Sequence, residues 1–251
     1  MSLIEIGPGI SFWRGDRVNA GLVETSRGLV AIDALTSAEA ATAMLAAAGR
    51  PEFLIYTHGH SDHVFGSGAF PPEVHVLATQ ATAGEITLHR ERYWGPDLDQ
   101  GVRVLEPDLV FTGQAQLGRG DRQLVIRHLG GHTPGSAVVW LPGPAVLFCG
   151  DLAVNGVTPF MLEADFDRWL TALAELASWR PAVVLPGHGD PAGPELLSRV
   201  ATWLDSFRRQ VREEGPGTEL SALVDRMMAR HGFPERHRFM VEGTVRALLG
   251  D

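Results

Sequence analysis

The segment HGHSDH at residues 58–63 places three histidines and one aspartate at fixed offsets, directly after the apolar run FLIYT at residues 53–57. Neutral imidazole and carboxylate are natural ligands of zinc in proteins. In a chain with ten histidines, this spacing arises by chance in roughly one sequence in a thousand, so accident is a poor explanation. Side chains two residues apart in an extended loop share a side, whereas their neighbours point elsewhere. The segment therefore predicts a loop at a strand end that serves two metal ions.

Three further motifs repeat this arrangement later in the chain. His132 lies in GGHTPGS, Asp151 ends CGD and His188 lies in LPGHG, and each motif follows a β-favouring apolar run. Histidines in these four motifs are metal-binding candidates, whereas the other five histidines do not fit the pattern: His75, His89, His128, His231 and His237. Cys149 ends the run AVLF and is expected to be a small buried hydrophobic residue rather than a ligand.

In order, spacing and flanking glycines, these motifs resemble the metallo-β-lactamase superfamily over roughly residues 3–190. The resemblance implies an α+β fold, the αββα sandwich, in which two mixed β-sheets pack face to face and helices cover the outer faces. It also implies two divalent metal ions, which we expect to be zinc, with iron or manganese as alternatives. The resemblance assigns His58, His60 and His132 to the first ion, Asp62, His63 and His188 to the second, and a bridging position to Asp151.

The aspartate at position 151 is similar to the bridging carboxylate of glyoxalase II and lactonase-like members of the family. The resemblance implies a dinuclear zinc hydrolase that cleaves a small-molecule ester, lactone or thioester with a metal-bridging hydroxide. Asp62 would be the catalytic residue that holds the hydroxide and relays its proton to the leaving group. Three alternatives stay open: a mononuclear iron oxidoreductase similar to persulfide dioxygenases, a β-lactamase, and a small phosphodiesterase.

The order of strand and helix signals predicts one domain over residues 1–251. Antiparallel strands from Ile4 to Asp33 begin the fold, and Ser37 caps a helix that Gly49 ends. Strands followed by helices occur twice, which predicts two β-rich halves, residues 1 to about 130 and about 131 to 212, packed sheet on sheet. Apolar residues at 166, 169, 170, 173, 176 and 177 have a helical period. Residues 193–251 are predicted to be mostly helical and to pack on the domain, with a break at 215–217.

The charge of the chain limits its partners. The formal net charge is −9, and the 21 basic residues are scattered arginines. Nucleic acid is excluded as the main partner, because phosphates require clustered positive charge, and a small-molecule substrate is expected instead. A single cysteine, the lack of a leader-like segment and the lack of a bilayer-length apolar run predict a cytoplasmic protein without a membrane partner. A homodimer is an oligomeric state that the sequence leaves open.

Segments near the predicted metal loops contain five candidates for the substrate pocket: Phe65, Tyr93, Trp94, Phe160 and Met161. Side chains of these types could line such a pocket, although aromatic residues beside helices are usually part of the core. Asp33 follows the strand-like run LVAI and has two interpretations. It hydrogen-bonds a metal-binding loop from behind, or it begins the turn that follows the strand.

Overall fold

The computed structural model describes residues 1–118 and 122–250, and these residues form two β-sheets. The first sheet has seven strands in chain order: β1 (Ser2–Gly7), β2 (Ile10–Arg14), β3 (Asn19–Thr25), β4 (Gly28–Ile32), β5 (Phe53–Ile55), β6 (His75–Thr79) and β7 (Leu109–Phe111). The second has five: β8 (Gln114–Leu117), β9 (Leu124–His128), β10 (Ala137–Leu141), β11 (Val146–Phe148) and β12 (Val183–Leu185). Both sheets are mixed, because β4 to β7 run parallel and β12 runs parallel to β11, whereas the remaining neighbours are antiparallel.

Helices connect and follow these strands. Within the described residues they are α1 (Ala38–Ala48), α2 (Ser61–Val64), α3 (Gln80–Arg92), α4 (Gly95–Asp99), α5 (Phe166–Ser178), α6 (Glu195–Glu214), α7 (Leu220–His231) and α8 (Arg238–Leu249). At the start of α1, the Ser37 hydroxyl accepts a hydrogen bond from the Ala40 amide at 3.2 Å. Gly49 ends α1 with a φ of 96°, a conformation that glycine adopts without steric cost. Both predicted boundaries of α1 are therefore confirmed.

A core of apolar side chains fills the space between the two sheets. Phe12, Val30 and Ile55 come from the first sheet, and Ile126 and Val139 come from the second; all five are at most 1% exposed. Alternate residues of a strand point to opposite faces, so each sheet also has an outer face to cover. The predicted α+β sandwich is confirmed by this arrangement.

The helices bury the outer faces of both sheets. On the first sheet, Leu22 and Leu54 pack in a cluster with Met44 of α1 and Ile86 of α3. On the second sheet, the outer cluster joins strands β10 and β11 to α5, α6 and the two C-terminal helices through Val138, Leu147, Trp169, Phe207 and Met240. Burial of each such side chain contributes about 1.5–3 kcal/mol. No helix in the described part of the chain combines the length and apolar character that crossing a bilayer requires.

The boundary between the β-rich halves differs from the prediction. The chain leaves the first sheet after Phe111 and enters the second at Gln114, not near residue 130. The reason is the pairing of β9 with β10, in which His128 lies opposite Ala137, and of β8 with β9. Strands β8 and β9 therefore belong to the second half.

Candidate metal centre

All four metal-binding motifs lie at strand ends. The HGHSDH segment follows β5, and the loops that carry His132, Asp151 and His188 follow β9, β11 and β12. The first motif lies after a strand, as predicted, but the predicted loop ends at His60, because residues 61–64 form the single turn α2. This turn separates Asp62 and His63 from the extended residues before them. Potential ligand atoms form two groups, each with all its atoms within 4.8 Å of one another: His58, His60, His132 and Asp151 in the first group, and Asp62, His63 and His188 in the second.

The first group has the spacing of a tetrahedral site. His60 Nδ1 lies 3.1 Å from His58 Nε2 and 3.1 Å from His132 Nε2. Asp151 Oδ2 lies 3.7 Å from His132 Nε2. Bonds of about 2.0–2.1 Å from a tetrahedral zinc ion to nitrogen place neighbouring ligand atoms roughly 3.3 Å apart. The four side chains therefore fit around one ion without rearrangement of the backbone.

The second group shares Asp151 with the first. His63 Nε2 lies 3.2 Å from Asp151 Oδ1, and His188 Nε2 lies 3.2 Å from Asp151 Oδ2. Asp62 Oδ2 lies 3.3 Å from His188 Nε2. Asp151 thus stands between the two groups, where a carboxylate has an oxygen available to each.

Two buried atoms at this junction have no hydrogen-bond partner within the described residues, namely His63 Nε2 and Asp151 Oδ1. An unpaired buried polar atom costs about 1–3 kcal/mol, so native structures rarely leave one unsatisfied. A cation between these atoms would remove the cost. Imidazole and carboxylate donors also match the preferences of zinc and of other transition metals. The residues present therefore fit the metal ions that the sequence implied.

Each histidine directs its second ring nitrogen away from the two groups. Such outer contacts fix the tautomer and the orientation of a ligating imidazole. The contacts are His58 Nδ1 with Thr57 Oγ1 at 3.1 Å, His63 Nδ1 with Asp33 Oδ2 at 2.8 Å, His132 Nδ1 with the Phe160 carbonyl at 3.0 Å, His188 Nδ1 with the Arg17 carbonyl, and His60 Nε2 with Glu163 Oε2 at 3.5 Å.

Asp33, for which the sequence left two interpretations, lies behind the first motif. Its carboxylate accepts hydrogen bonds from the Thr57 amide at 2.8 Å, from the Thr57 hydroxyl at 2.7 Å and from His63 Nδ1 at 2.8 Å. Its backbone has a φ of 63°, which is uncommon for a residue other than glycine. Asp33 therefore supports the motif from behind.

The pKa shifts of the side chains differ between the two groups of ligand atoms. Burial and the neighbouring histidines lower the pKa of His58, and the same causes lower the pKa of His132 to about 3. Both imidazoles are therefore neutral, as a metal ligand must be. Burial opposes ionisation of Asp62, but His63 and His188 outweigh it and lower the pKa of Asp62 to about 2. In the second group, burial disfavours a charged His188, but Asp151 and Asp62 raise its pKa to about 10. The carboxylates thus attract positive charge to this group.

The two groups lie in the wall of a cavity of about 630 Å³, whose lining includes His60, Asp62, Asp151 and His188. Among the predicted pocket residues, Phe160 lines this cavity, and its ring centroid lies 5.5 Å from that of His60. The other four lie outside the described lining: Met161 is 1% exposed in the core, Phe65 packs on the buried Trp94 at 5.0 Å, and Tyr93 is 58% exposed beside His89.

Cys149 belongs to neither group of ligand atoms. It is fully buried, its Sγ donates to the Leu185 carbonyl at 3.3 Å, and burial raises the pKa of its thiol. Three other residues that contact the motifs were missed at the sequence level, namely Glu85, His89 and Glu163. Glu85 accepts hydrogen bonds from the amides of Gly59 and Gly135, which ties the first motif to the loop of His132. The four-residue spacing of Glu85 and His89 on a helix was the only available signal.

The chain is similar to known proteins in sequence and in fold. Residues 13–188 match the profile described as the metallo-beta-lactamase superfamily. The chain is 30% identical over 237 residues to acyl-coenzyme A thioesterase MBLAC2 of Gallus gallus, covering 78% of this chain and 83% of that protein. It is 27% identical over 238 residues to hydroxyacylglutathione hydrolase of Fuscovulum blasticum, covering 86% and 87%. A solved metallo-beta-lactamase from Pontibacter korlensis has a TM-score of 0.67 at 24% identity and covers 81% of this chain and 98% of its own.

Proposed function

This chain belongs to the metallo-beta-lactamase superfamily, and on that premise we propose that it is a metal-dependent hydrolase whose substrates are acyl thioesters. The observation that supports hydrolysis is the position of Asp151 between two groups of ligand atoms, 3.7 Å from His132 Nε2 in the first and 3.2 Å from His63 Nε2 in the second, in the wall of an open cavity. The thioester is favoured because one relative is named an acyl-coenzyme A thioesterase and another a hydroxyacylglutathione hydrolase. Both names describe an acyl group that is carried by a thiol compound, coenzyme A or glutathione.

The proposed ligands follow the two groups. His58, His60 and His132 would hold one divalent ion, Asp62, His63 and His188 would hold the other, and Asp151 would contact both. Two zinc ions bound there would polarise the thioester carbonyl and lower the pKa of water to about 7. The lining residues position the substrate, and the buried contacts behind the histidines keep the ligand atoms in place.

Asp62 is the proposed catalytic residue. Its side chain is 34% exposed and lines the cavity, and its lowered pKa keeps it ionised at neutral pH. In the proposed reaction, the oxygen of water forms the new bond to the acyl carbon and the carbon–sulfur bond breaks. Asp62 takes a proton from the attacking water and transfers it to the departing sulfur. The products are a carboxylate and a thiol.

The lining of the cavity includes two arginines as well as apolar side chains. Arg17 and Arg236 both line it, and neither forms an ion pair within the described ranges, although Asp16 also faces the cavity. Phe160 and Val157 supply apolar surface on the same lining. In a chain of net charge −9, two free guanidinium groups beside the centre favour an anionic ligand. We therefore propose that the thiol part of the substrate carries phosphate or carboxylate groups.

A substrate panel tests the proposal. The protein reconstituted with zinc is assayed with one acyl group carried by coenzyme A, by glutathione or by neutral N-acetylcysteamine, next to a matched lactone, a β-lactam and bis-nitrophenyl phosphate. We expect the anionic thioesters to be hydrolysed with the highest kcat/KM, and we expect chelation to remove the activity and zinc to restore it. Thioester turnover no faster than that of the metal-free protein would contradict the proposal.

Metal analysis separates the proposal from a redox function. We expect two zinc ions per chain after reconstitution, because both groups of ligand atoms have complete donor sets. One iron per chain, combined with oxygen uptake in the presence of a persulfide, would favour an oxidoreductase instead.

A further inference from the structure

Helix α3 holds the first metal-binding motif on two sides. Glu85 and His89 lie one helical turn apart on α3, and both contact Gly59, the residue between His58 and His60. The Gly59 amide donates to Glu85 Oε2 at 3.0 Å, and His89 Nδ1 donates to the Gly59 carbonyl at 3.0 Å. Both polar groups of this peptide are therefore fixed by one helix.

His89 also reaches a carboxylate from another part of the chain. Its Nε2 donates to Glu163 Oε1 at 2.8 Å. Both neighbours of the His89 ring, a carbonyl and a carboxylate, only accept hydrogen bonds, so both ring nitrogens carry protons. His89 is 3% exposed, and a positively charged ring at this depth requires an anion beside it. The ion pair thus holds Glu163 in one position.

The second oxygen of Glu163 is directed at a proposed metal ligand. Glu163 Oε2 is buried, lies 3.5 Å from His60 Nε2 and has no hydrogen-bond partner within the described residues. The His60 ring is stacked on that of His89, with centroids 5.8 Å apart and planes 19° apart. His60 is the one proposed ligand among the histidines that directs Nδ1 rather than Nε2 toward the centre. Its orientation is therefore the reverse of the other four.

We propose that Glu163, held by His89, is the positioning residue that fixes this reversed orientation of His60. A carboxylate beside Nε2 favours the tautomer with the proton on Nε2, which leaves the lone pair on Nδ1, where the first group of ligand atoms needs it. The proposal rests on the metal centre described under the proposed function. It adds a specific dependence: the zinc affinity of the first site depends on Glu163, and that of the second site depends on Asp33, the partner of His63.

Metal titrations of substituted proteins test this dependence. Zinc affinity of each site is measured by competition with a chromophoric chelator, and the cobalt-substituted protein gives an absorption spectrum that reports ligand geometry. Loss of an outer partner of a ligand costs roughly 10–100-fold in metal affinity. In Glu163→Gln, whose amide oxygen still accepts a hydrogen bond, we expect about 10-fold weaker zinc binding at the first site. In Glu163→Ala we expect about 100-fold weaker binding there and a changed cobalt spectrum.

Two matched variants define the specificity of the effect. Asp33→Asn is expected to weaken the second site more than the first, because Asp33 contacts His63 directly and reaches His58 only through the Thr57 hydroxyl. Glu175→Gln removes a carboxylate that pairs with Arg127 outside the motifs and is expected to change neither site.

The outcomes are distinguishable. Unchanged zinc affinity and an unchanged cobalt spectrum in Glu163→Gln would overturn the positioning role, and this isosteric variant decides the question even if Glu163→Ala does not fold. Equal losses at both sites would also overturn it, because a general loosening of the fold would then explain the result. A wild-type protein that binds no zinc would overturn the metal centre itself and the positioning role with it.

Discussion

Asp151 occupies the point where the two groups of ligand atoms meet: its Oδ2 lies 3.7 Å from His132 Nε2 of the first group, and its Oδ1 lies 3.2 Å from His63 Nε2 of the second. A residue in this position is expected to be indispensable to both sites. Loss of an outer partner of a metal ligand costs about 10–100-fold, and loss of a ligand costs more.

We predict that Asp151→Ala and His60→Ala each lower thioester hydrolysis by more than about 100-fold. The cause is lost metal, so metal content measured by mass spectrometry falls while the far-ultraviolet circular dichroism spectrum stays that of a folded protein. Asp205→Ala, which removes an exposed partner of Arg208, serves as the control. Full activity of either site variant would contradict the assignment of these ligands.

Arg236 lines the cavity without a carboxylate partner in the described residues. An exposed charge pair contributes about 0.2–1 kcal/mol, which corresponds to at most about a fivefold change. We therefore predict that Arg236→Gln raises KM for a coenzyme A or glutathione thioester up to about fivefold and leaves kcat unchanged. Arg246→Gln, which breaks a pair with Glu242 on α8, is the matched control.

A neutral thioester distinguishes charge from shape at this position. KM for the N-acetylcysteamine thioester is expected to be the same in Arg236→Gln and in the wild type, because that substrate has no anionic group to lose contact with. If KM rises equally for neutral and anionic substrates, Arg236 acts by packing and the proposed anionic part of the substrate is wrong.

Sequence reasoning named the residues that the fold brings into the two groups of ligand atoms, and it offered Asp33 behind them, but it missed Glu85, His89 and Glu163. The four motifs are short and local, so their spacing is visible along the chain. The supports are remote: Glu85 contacts Gly135 across 50 positions, and Glu163 contacts His89 across 74. A lone glutamate carries no periodic signal of such a contact, so only the fold reveals it.

At the level of elements, periodic segments were predictable and pairing partners were not. Helix α5 covers the predicted apolar positions, with Phe166, Trp169, Leu173 and Leu176 buried. The assignment of β8 and β9 to the second sheet depends on hydrogen bonds with β10. Strand composition does not specify which strands form such hydrogen bonds. The predicted boundary between the two halves near residue 130 was therefore wrong.

Contact between α5 and the loop of His132 leads to a prediction for Gly131. This glycine has a φ of 111°, and a Cβ placed there would lie 2.7 Å from Trp169 Cα. We predict that Gly131→Ala destabilises the protein by about 2–5 kcal/mol, because left-handed backbone costs about 1–2 kcal/mol and overpacking about 1–3 kcal/mol. Urea unfolding measures the change.

Gly84 provides the contrasting substitution. It lies in α3, and a Cβ added there would meet no atom within 4 Å among the described residues. Gly84→Ala is expected to stabilise the protein by about 0.5–1 kcal/mol, the usual helix preference of alanine over glycine. If Gly131→Ala proves as harmless as Gly84→Ala, the close packing of α5 on the His132 loop is contradicted.

For the whole molecule, we propose that residues 1–251 unfold as one domain. The C-terminal helices share a buried cluster with α5 and the second sheet, through residues such as Phe207 and Met240. Removing α6 to α8 would expose that cluster to water.

We predict a single thermal transition that has the same midpoint in near- and far-ultraviolet circular dichroism, as two-state unfolding requires. Zinc is expected to raise the midpoint, because a ligand that binds only the folded state stabilises it. Two separate transitions, with the lower one insensitive to zinc, would show that the C-terminal helices unfold on their own.

The division of the chain between the two sheets has a consequence for when the protein becomes active. The first sheet and its loops supply His58, His60, Asp62 and His63, whereas His132, Asp151 and His188 all follow Gln114. During synthesis on the ribosome, the amino-terminal part emerges with an incomplete donor set. The donors of the first group are complete once Asp151 has emerged, but those of the second group are complete only when His188 has left the exit tunnel. The proposed two-metal centre therefore cannot assemble on a nascent chain until most of the protein has been made.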